Sequence, residues 1–331
     1  MKLEKLIIAE IGSVHDGSFG NAMNLIESAA KHGANCVKFQ THIAQAESLL
    51  SAPNPLYFTD ESRFEYFKRT SFSVEQWIAL RQMAEDCNVE FLSSPFSLEA
   101  VDLLEEIGIS AYKIPSGEIS NIPLIEKIAQ TGKPVIVSSG MSNWVDLDNV
   151  VDLLNENCDL AVMQCSSIYP CPNEKVGLNI INEIRNRYNC VVGFSDHTEG
   201  IAASISSAAL GATIIEKHFT FSKQMYGSDA KNSMEPLEFN VMCNAIKDVW
   251  VIMDNPIDKN DILEYKEMKL IFQKSIVSKE DLSVGTVLKK EHMAFKKPGS
   301  GIEAKNYREL IGKKLTKSFV KDEMFTLEHL E

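Results

Sequence analysis

Nowhere in the 331 residues do two cysteines form a CxxC pair. The seven that occur (Cys36, Cys87, Cys158, Cys165, Cys171, Cys190 and Cys243) share no paired spacing. Neither a zinc knuckle nor a disulfide framework is thereby indicated, and a reducing compartment, the cytoplasm, is the expected home. Long apolar runs are missing too: no stretch approaches a membrane span, and the apolar part of MKLEKLIIAEIG is too short for a signal peptide. Positive charge is scarce, with 33 Lys and Arg against 46 Asp and Glu, a net charge of −13. That speaks against nucleic acid as the partner, because phosphate contacts need clustered cations. A small anionic substrate held by a few local cations stays open.

What the sequence does have is eight short apolar runs: 6–12, 36–40, 90–96, 111–116, 134–139, 160–165, 191–195 and 213–219. The segments between them, such as NAMNLIESAAKHG and SVEQWIALRQMAEDC, place apolar residues three or four apart, as helices packed on a sheet do. Ser73 with Gln76 reads as a capping box, and Gly33 stands where a helix should stop. Eight βα units in the span 1–254 fit a (β/α)₈ TIM barrel; a doubly wound open sheet is the alternative, since periodicity does not encode closure. After a last helix near 237–253 the chain turns polar, and 255–269 reads as a linker. Residues 270–331 change to short strands with turn signals, a small β-rich module.

In a βα barrel the active site lies at the carboxyl ends of the strands, so what each strand ends with matters. The first strand ends in Glu10, followed by His15; the second in Lys38 and Gln40; the third in Ser93 and Ser94. The fourth carries Lys113, then Ser116, Gly117 and Glu118; the fifth Ser138 and Ser139; the sixth Gln164, followed by Tyr169. The seventh delivers Ser195, Asp196 and His197, and the eighth Glu216, Lys217 and His218. His197 and His218 end adjacent strands, where two imidazoles suit a divalent cation acting as a Lewis acid on a carbonyl. Hydrogen bonding within the barrel top is the other reading of the pair. Lys38 and Lys113, with Ser94, Ser116, Ser138 and Ser195, form a set that would hold a phosphate or carboxylate. The competing role for each lysine is an ion pair with Glu10 or Glu118, and a Schiff base is a third. Glu10 and Glu118 are the candidate acid and base, Glu118 being favoured because Gly117 lets a ligand approach. His15, His32, His42 and His292 stand isolated, and of these only His15 is expected to reach the site. Trp77, Trp144 and Trp250 read as helix packing, and Cys165 as core.

The runs IIAEIGSVHDG, VKFQT, FLSSPF, YKIPSGE, VSSGM, QCSSIYP, GFSDHT, EKHFT and GSDAKNSMEP, with KKPGSGI and LIGKKL in the tail, resemble the sialic acid synthase family across nearly the whole chain. The resemblance implies a barrel followed by an antifreeze-like (SAF) domain. It also implies metal-dependent condensation of phosphoenolpyruvate with an open-chain N-acetylated amino sugar, N-acetylmannosamine first among them, to a nonulosonic acid and phosphate. Diacetamido-trideoxy hexoses (legionaminic or pseudaminic precursors) and 6-phosphorylated N-acetylmannosamine are the other acceptors, another aldulosonate synthase the neighbouring activity, and a silent sugar-binding protein the non-enzymatic alternative. By the same resemblance His197 and His218 hold Mn²⁺ or Mg²⁺, and Lys38, Gln40, Lys113, Ser116, Ser138 and Ser195 contact phosphoenolpyruvate. Glu10 and Glu118 are the catalytic carboxylates, Tyr169 and Asp229 contact the sugar, and the active form is a domain-swapped homodimer. The chain departs from the family pattern in reading Val14-His15 where an Asn-His pair is common. It also holds Lys297 where many bacterial members place an arginine on the N-acyl group, and it begins almost at the first strand, where many carry a hairpin.

Overall fold

Every residue of the first strand, Leu6–Gly12 (β1), is buried, the condition of a parallel strand covered on both faces. The structure, a computed structural model, describes residues 1–54, 61–227 and 229–331, so that Ser228 of the GSDAKNSMEP motif lies outside it. The chain continues through α1 (Phe19–Lys31), β2 (Cys36–Thr41), α2 (Ala44–Glu47), α3 (Arg63–Thr70), α4 (Val74–Asp86), β3 (Glu90–Pro95), α5 (Leu98–Glu106), β4 (Tyr112–Ile114) and α6 (Ile122–Ala129). Then come β5 (Val135–Ser138), α7 (Trp144–Asn155), β6 (Leu160–Cys165), α8 (Asn179–Tyr188), β7 (Val191–Asp196), α9 (Ala202–Ala209), β8 (Ile214–His218) and α10 (Pro236–Asp254). β1 to β8 pair in sequence and β8 returns to β1 in parallel, so the sheet closes and the open-sheet alternative falls.

Local signals explain the element ends. Ser73 Oγ accepts from the Gln76 amide at 3.3 Å while Gln76 Oε1 accepts from the Ser73 amide at 3.0 Å, the capping box expected at the start of α4. Gly33, at φ +107°, ends α1 in a conformation that a side chain would strain. Two layers of apolar packing result. Leu6, Ile8, Cys36, Leu92, Ile136, Met163 and Ile214, all from strands, fill the lower barrel interior, and the alternate residues Ile7, Ala9, Val37, Val135 and Ile215 pack outward under the helices. Register sets the polar strand ends level: Glu10 pairs with Lys38 and with His218, and Ser195 with Glu216 and with Cys165.

The chain divides into two compact units, Met1–Asn255 and Pro256–Glu331. The second is built around β9 (Ser275–Ser278) and β10 (Met293–Lys296), an antiparallel pair, with a core of Ile276, Leu282, Leu288, Phe319 and Phe325. The polar stretch 255–269 is not all irregular: a 3₁₀ turn at Leu263–Tyr265 runs into α11 (Lys266–Phe272), and a last short helix is α12 (Tyr307–Leu310). Among the described residues no helix is long and apolar enough to cross a membrane.

Candidate active site

Side chains two apart on a strand share a face, and this alternation builds the site. Above Leu6 and Ile8 in β1 comes Glu10; above Cys36 in β2 come Lys38, Gln40 and then His42. Lys113 follows Ala111, Ser138 follows Ile136, and Cys165 follows Met163. Ser195 and His197 follow Gly193, and Glu216 and His218 follow Ile214. All of these polar groups line one cavity of about 400 Å³ at the carboxyl ends of the strands. The intervening residues face the other way. Behind the wall Lys217 pairs with Asp196 at 3.1 Å and donates to the carbonyls of Thr198 (2.5 Å) and Gly200 (3.1 Å), which pins the turn carrying His197.

The cavity floor is a buried network of opposite charges. Lys38 Nζ lies 2.7 Å from Glu10 and 3.8 Å from Glu216, and Lys113 Nζ lies 3.2 Å from Glu216. Ser195 Oγ donates to Glu216 at 3.1 Å, and Gln40 Nε2 donates to Glu10 at 2.7 Å. Burial opposes charge on Glu216, but the ammonium groups of Lys113 and Lys38 hold its pKa down at about 2. Burial likewise opposes charge on Lys38, where Glu10 and Glu216 outweigh it and raise the pKa. For Lys113 burial wins, reinforced by Lys38, and its pKa is lowered. Two ammonium groups and two carboxylates thus cancel. Among the described residues the hydroxyl of Ser138, buried at the cavity wall, has no hydrogen-bond partner.

His197 and His218 face each other with ring centroids 5.6 Å apart, and Tyr169 packs 4.0 Å and 5.9 Å from them. His197 Nδ1 lies 2.8 Å from the Ser166 carbonyl. A carbonyl only accepts, so Nδ1 carries a hydrogen; burial opposes charge on this ring, but Cys165 and the Ser166 carbonyl outweigh it and raise the pKa, and it is the neutral form that keeps the Nε2 lone pair. His218 Nδ1 is buried without a partner among the described residues, and burial lowers the ring's pKa toward the neutral form that ligates metal. The pair therefore fits a cation that retains several waters, as Mg²⁺ and Mn²⁺ do. Among the described residues no three His, Cys, Asp or Glu are grouped to hold a metal by themselves.

Of the residues singled out in the sequence, Glu10, Lys38, Gln40, Lys113, Ser116, Ser138, Ser195, His197, His218, Tyr169 and Asp229 line this cavity. Gly12 makes their convergence possible: a Cβ there would meet Asp229 Oδ2 at 2.8 Å, Gln40 Nε2 at 3.2 Å and Glu10 Oε1 at 3.3 Å. Glu118 is not among the lining residues, although Ser116 and Gly117 are. It closes the 3₁₀ turn Ser116–Glu118, where its carboxylate accepts from Asn121 Nδ2 at 2.8 Å. Burial, aided by the nearby Glu47, raises its pKa. Lys297 belongs to the second compact unit, its ammonium 4.8 Å from the centroid of Phe272.

Two histidines exchange roles relative to expectation. His15 packs 4.6 Å from Phe72, takes a hydrogen bond from the Gly17 amide and does not line the cavity; burial lowers its pKa to about 4. His42 does line it, sandwiched between Phe67 at 3.6 Å and Phe96 at 4.1 Å. Cys165, read as core, is buried but sits at the cavity wall with Sγ 3.8 Å from His197 Nδ1. Glu216 was visible as a strand end yet unassigned, and strand alternation from His218 is the signal that finds it.

Comparison with known proteins adds independent information. Residues 25–258 match the NeuB family and residues 273–331 the SAF domain. The chain is 38% identical to the N,N'-diacetyllegionaminic acid synthase of Campylobacter jejuni, over 96% of this chain and 98% of that one. It is 31% identical to the N-acetylneuraminate-9-phosphate synthase of Drosophila melanogaster, over 96% and 93%. Among solved structures it is similar to an N-acetylneuraminic acid (sialic acid) synthetase from Leptospira borgpetersenii in complex with citrate. The TM-score there is 0.71 at 28% identity, covering 80% of this chain and 91% of that one.

Proposed function

The chain belongs to the NeuB family, and on that premise we propose that it joins phosphoenolpyruvate to the open-chain aldehyde of an N-acetylated amino sugar. Carbon 3 of the enol bonds to the aldehyde carbon, whose oxygen takes a proton. Water adds at carbon 2 and the carbon–oxygen bond to phosphate breaks, so that phosphoenolpyruvate, aldehyde and water become a nine-carbon 2-keto acid and inorganic phosphate. Lys38 and Lys113, with the hydroxyls of Ser116, Ser138 and Ser195, hold the phosphoester and its carboxylate, and the lysines steady the charge of the departing phosphate. Glu10, aligned by Lys38 and Gln40, takes the proton from water; of the two candidate carboxylates it is the one that lines the cavity. Mn²⁺ or Mg²⁺ held by His197 and His218 would polarise the aldehyde oxygen. Tyr169 and Asp229 contact the sugar.

We favour a diacetamido-trideoxy hexose over N-acetylmannosamine as acceptor. The 38% identical relative is named a legionaminic acid synthase, and Phe67, Phe96 and Met141 at the cavity offer apolar contact for a deoxy methyl and a second acetyl group. A homodimer belongs to the same proposal and is read by light scattering. The supporting observation is that two Lys–Glu pairs, a serine hydroxyl unpartnered among the described residues and two neighbouring imidazoles share one cavity. The test is a panel of N-acetylated amino sugars, each incubated with phosphoenolpyruvate in chelator or in added Mn²⁺, followed by phosphate release and product mass. Metal-dependent phosphate release with a nine-carbon product supports the proposal; release with no sugar at all ends it.

A further inference from the structure

Beyond the groups that touch substrate, a second line of hydrogen bonds leads away from Glu10. Its carboxylate is paired with Lys38 at 2.7 Å and accepts from Gln40 Nε2 at 2.7 Å. The Gln40 oxygen therefore points the other way, 3.1 Å from His42 Nε2. An amide oxygen only accepts, so His42 Nε2 must carry a hydrogen. On the far side of the ring, Nδ1 lies 2.8 Å from the Glu47 carboxylate, whose side chain is only 3% exposed. We propose that the His42–Glu47 pair is the positioning device of this site, holding Gln40 with its nitrogen toward Glu10.

The packing supports a fixed orientation. Phe67 of α3 stacks on one face of the ring at an angle of 14° and Phe96 on the other at 19°, so the imidazole has no room to turn. Arg63 of α3, Glu47 of α2, His15 and Asp229 are the charged or titratable groups whose fields reach it. Burial lowers the ring's pKa and Arg63 adds to this, while Glu47 opposes. The Glu47 carboxylate takes the Nδ1 side of the ring and the Gln40 oxygen takes the Nε2 hydrogen, so the imidazole is oriented from both sides. Loss of that Nε2 hydrogen would let Gln40 turn its carbonyl onto Glu10, against a carboxylate.

The inference rests on the proposed reaction only in that Glu10 acts in it, and one measurement is independent of turnover. In protein with ¹⁵N-labelled histidine, assigned through His42→Gln, the His42 Nε2 resonance should be that of a proton-bearing nitrogen throughout the neutral range. A bare Nε2 at pH 7 would overturn the proposal even if every sugar is turned over. In kinetics, using phosphoenolpyruvate and the acceptor the wild type consumes, His42→Leu should lower kcat about 10- to 100-fold with the KM for phosphoenolpyruvate nearly unchanged. His42→Gln, which presents an amide N–H near the Nε2 position, should recover most of that loss. Glu47→Leu, which leaves Nδ1 without its carboxylate, should lower kcat in the same direction as His42→Leu with the KM for phosphoenolpyruvate nearly unchanged, and wild-type kcat in that variant would overturn the role of the pair. Equal losses in His42→Leu and His42→Gln, with both folded by circular dichroism, would overturn the assignment.

Discussion

Replacing Glu216 by Gln keeps shape and the hydrogen bond from Ser195 but removes the carboxylate that faces Lys113 at 3.2 Å and Lys38 at 3.8 Å. Lys38 retains Glu10 at 2.7 Å, so the change leaves Lys113 as the uncompensated buried cation. Holding the Glu216 pKa at about 2 instead of the ordinary 4.5 corresponds to about 3 kcal/mol of stability. Breaking a buried ion pair from one side costs about 3–5 kcal/mol in general. The lower figure should apply here, because Lys113, already lowered by burial, can relieve the strain by giving up its proton. The pH dependence has a definite sign. A carboxylate whose folded pKa is depressed contributes fully above 4.5 and loses that contribution as pH falls through about 2. Urea unfolding followed by tryptophan fluorescence reports on the first unit, which holds Trp77, Trp144 and Trp250. The variant should lose about 3 kcal/mol at pH 7 and progressively less below pH 4.5, and adding Lys113→Met should restore much of the stability without restoring activity. An unchanged midpoint at pH 7, or a loss that does not shrink on acidification, would refute the charge network as described.

Two further outcomes follow from the geometry. His218→Ala should abolish turnover while leaving the circular dichroism and unfolding midpoint of the barrel close to wild type, and near-normal activity would remove the metal assignment. Gly12→Ala places a Cβ 2.8 Å from Asp229 Oδ2 on a backbone at φ +54°, so it should cost about 1–3 kcal/mol in stability and a larger share of kcat. Full activity in that variant would show that Asp229 and Gln40 need not converge there.

How far the site could be read beforehand depended on strand geometry. The eight apolar runs coincide with β1 to β8 to within a residue or two, because parallel strands buried on both faces write themselves as short apolar stretches. Alternation carried Lys38 through Gln40 to His42, one residue beyond the end of β2, and would have nominated His42 had it been extended. His15 looked nearer to the chemistry by sequence distance alone. It follows Gly12, where the pairing register shifts and the backbone is left-handed, so the alternation of β1 is lost before residue 15. Glu118 was favoured for its neighbouring glycine, yet the 3₁₀ turn directs its carboxylate to Asn121, the N-cap of α6.

The sequence by itself determined which residues end the strands and which face each takes, because two-residue alternation is local covalent geometry. Its motifs also carried the family resemblance. Only the tertiary structure decided which of those groups become partners: that Glu216 meets Lys113, 103 positions away, that the sheet closes, and that two phenylalanines clamp His42. Such choices rest on distances through space between strands far apart in the chain, and a pattern of period two holds no record of them.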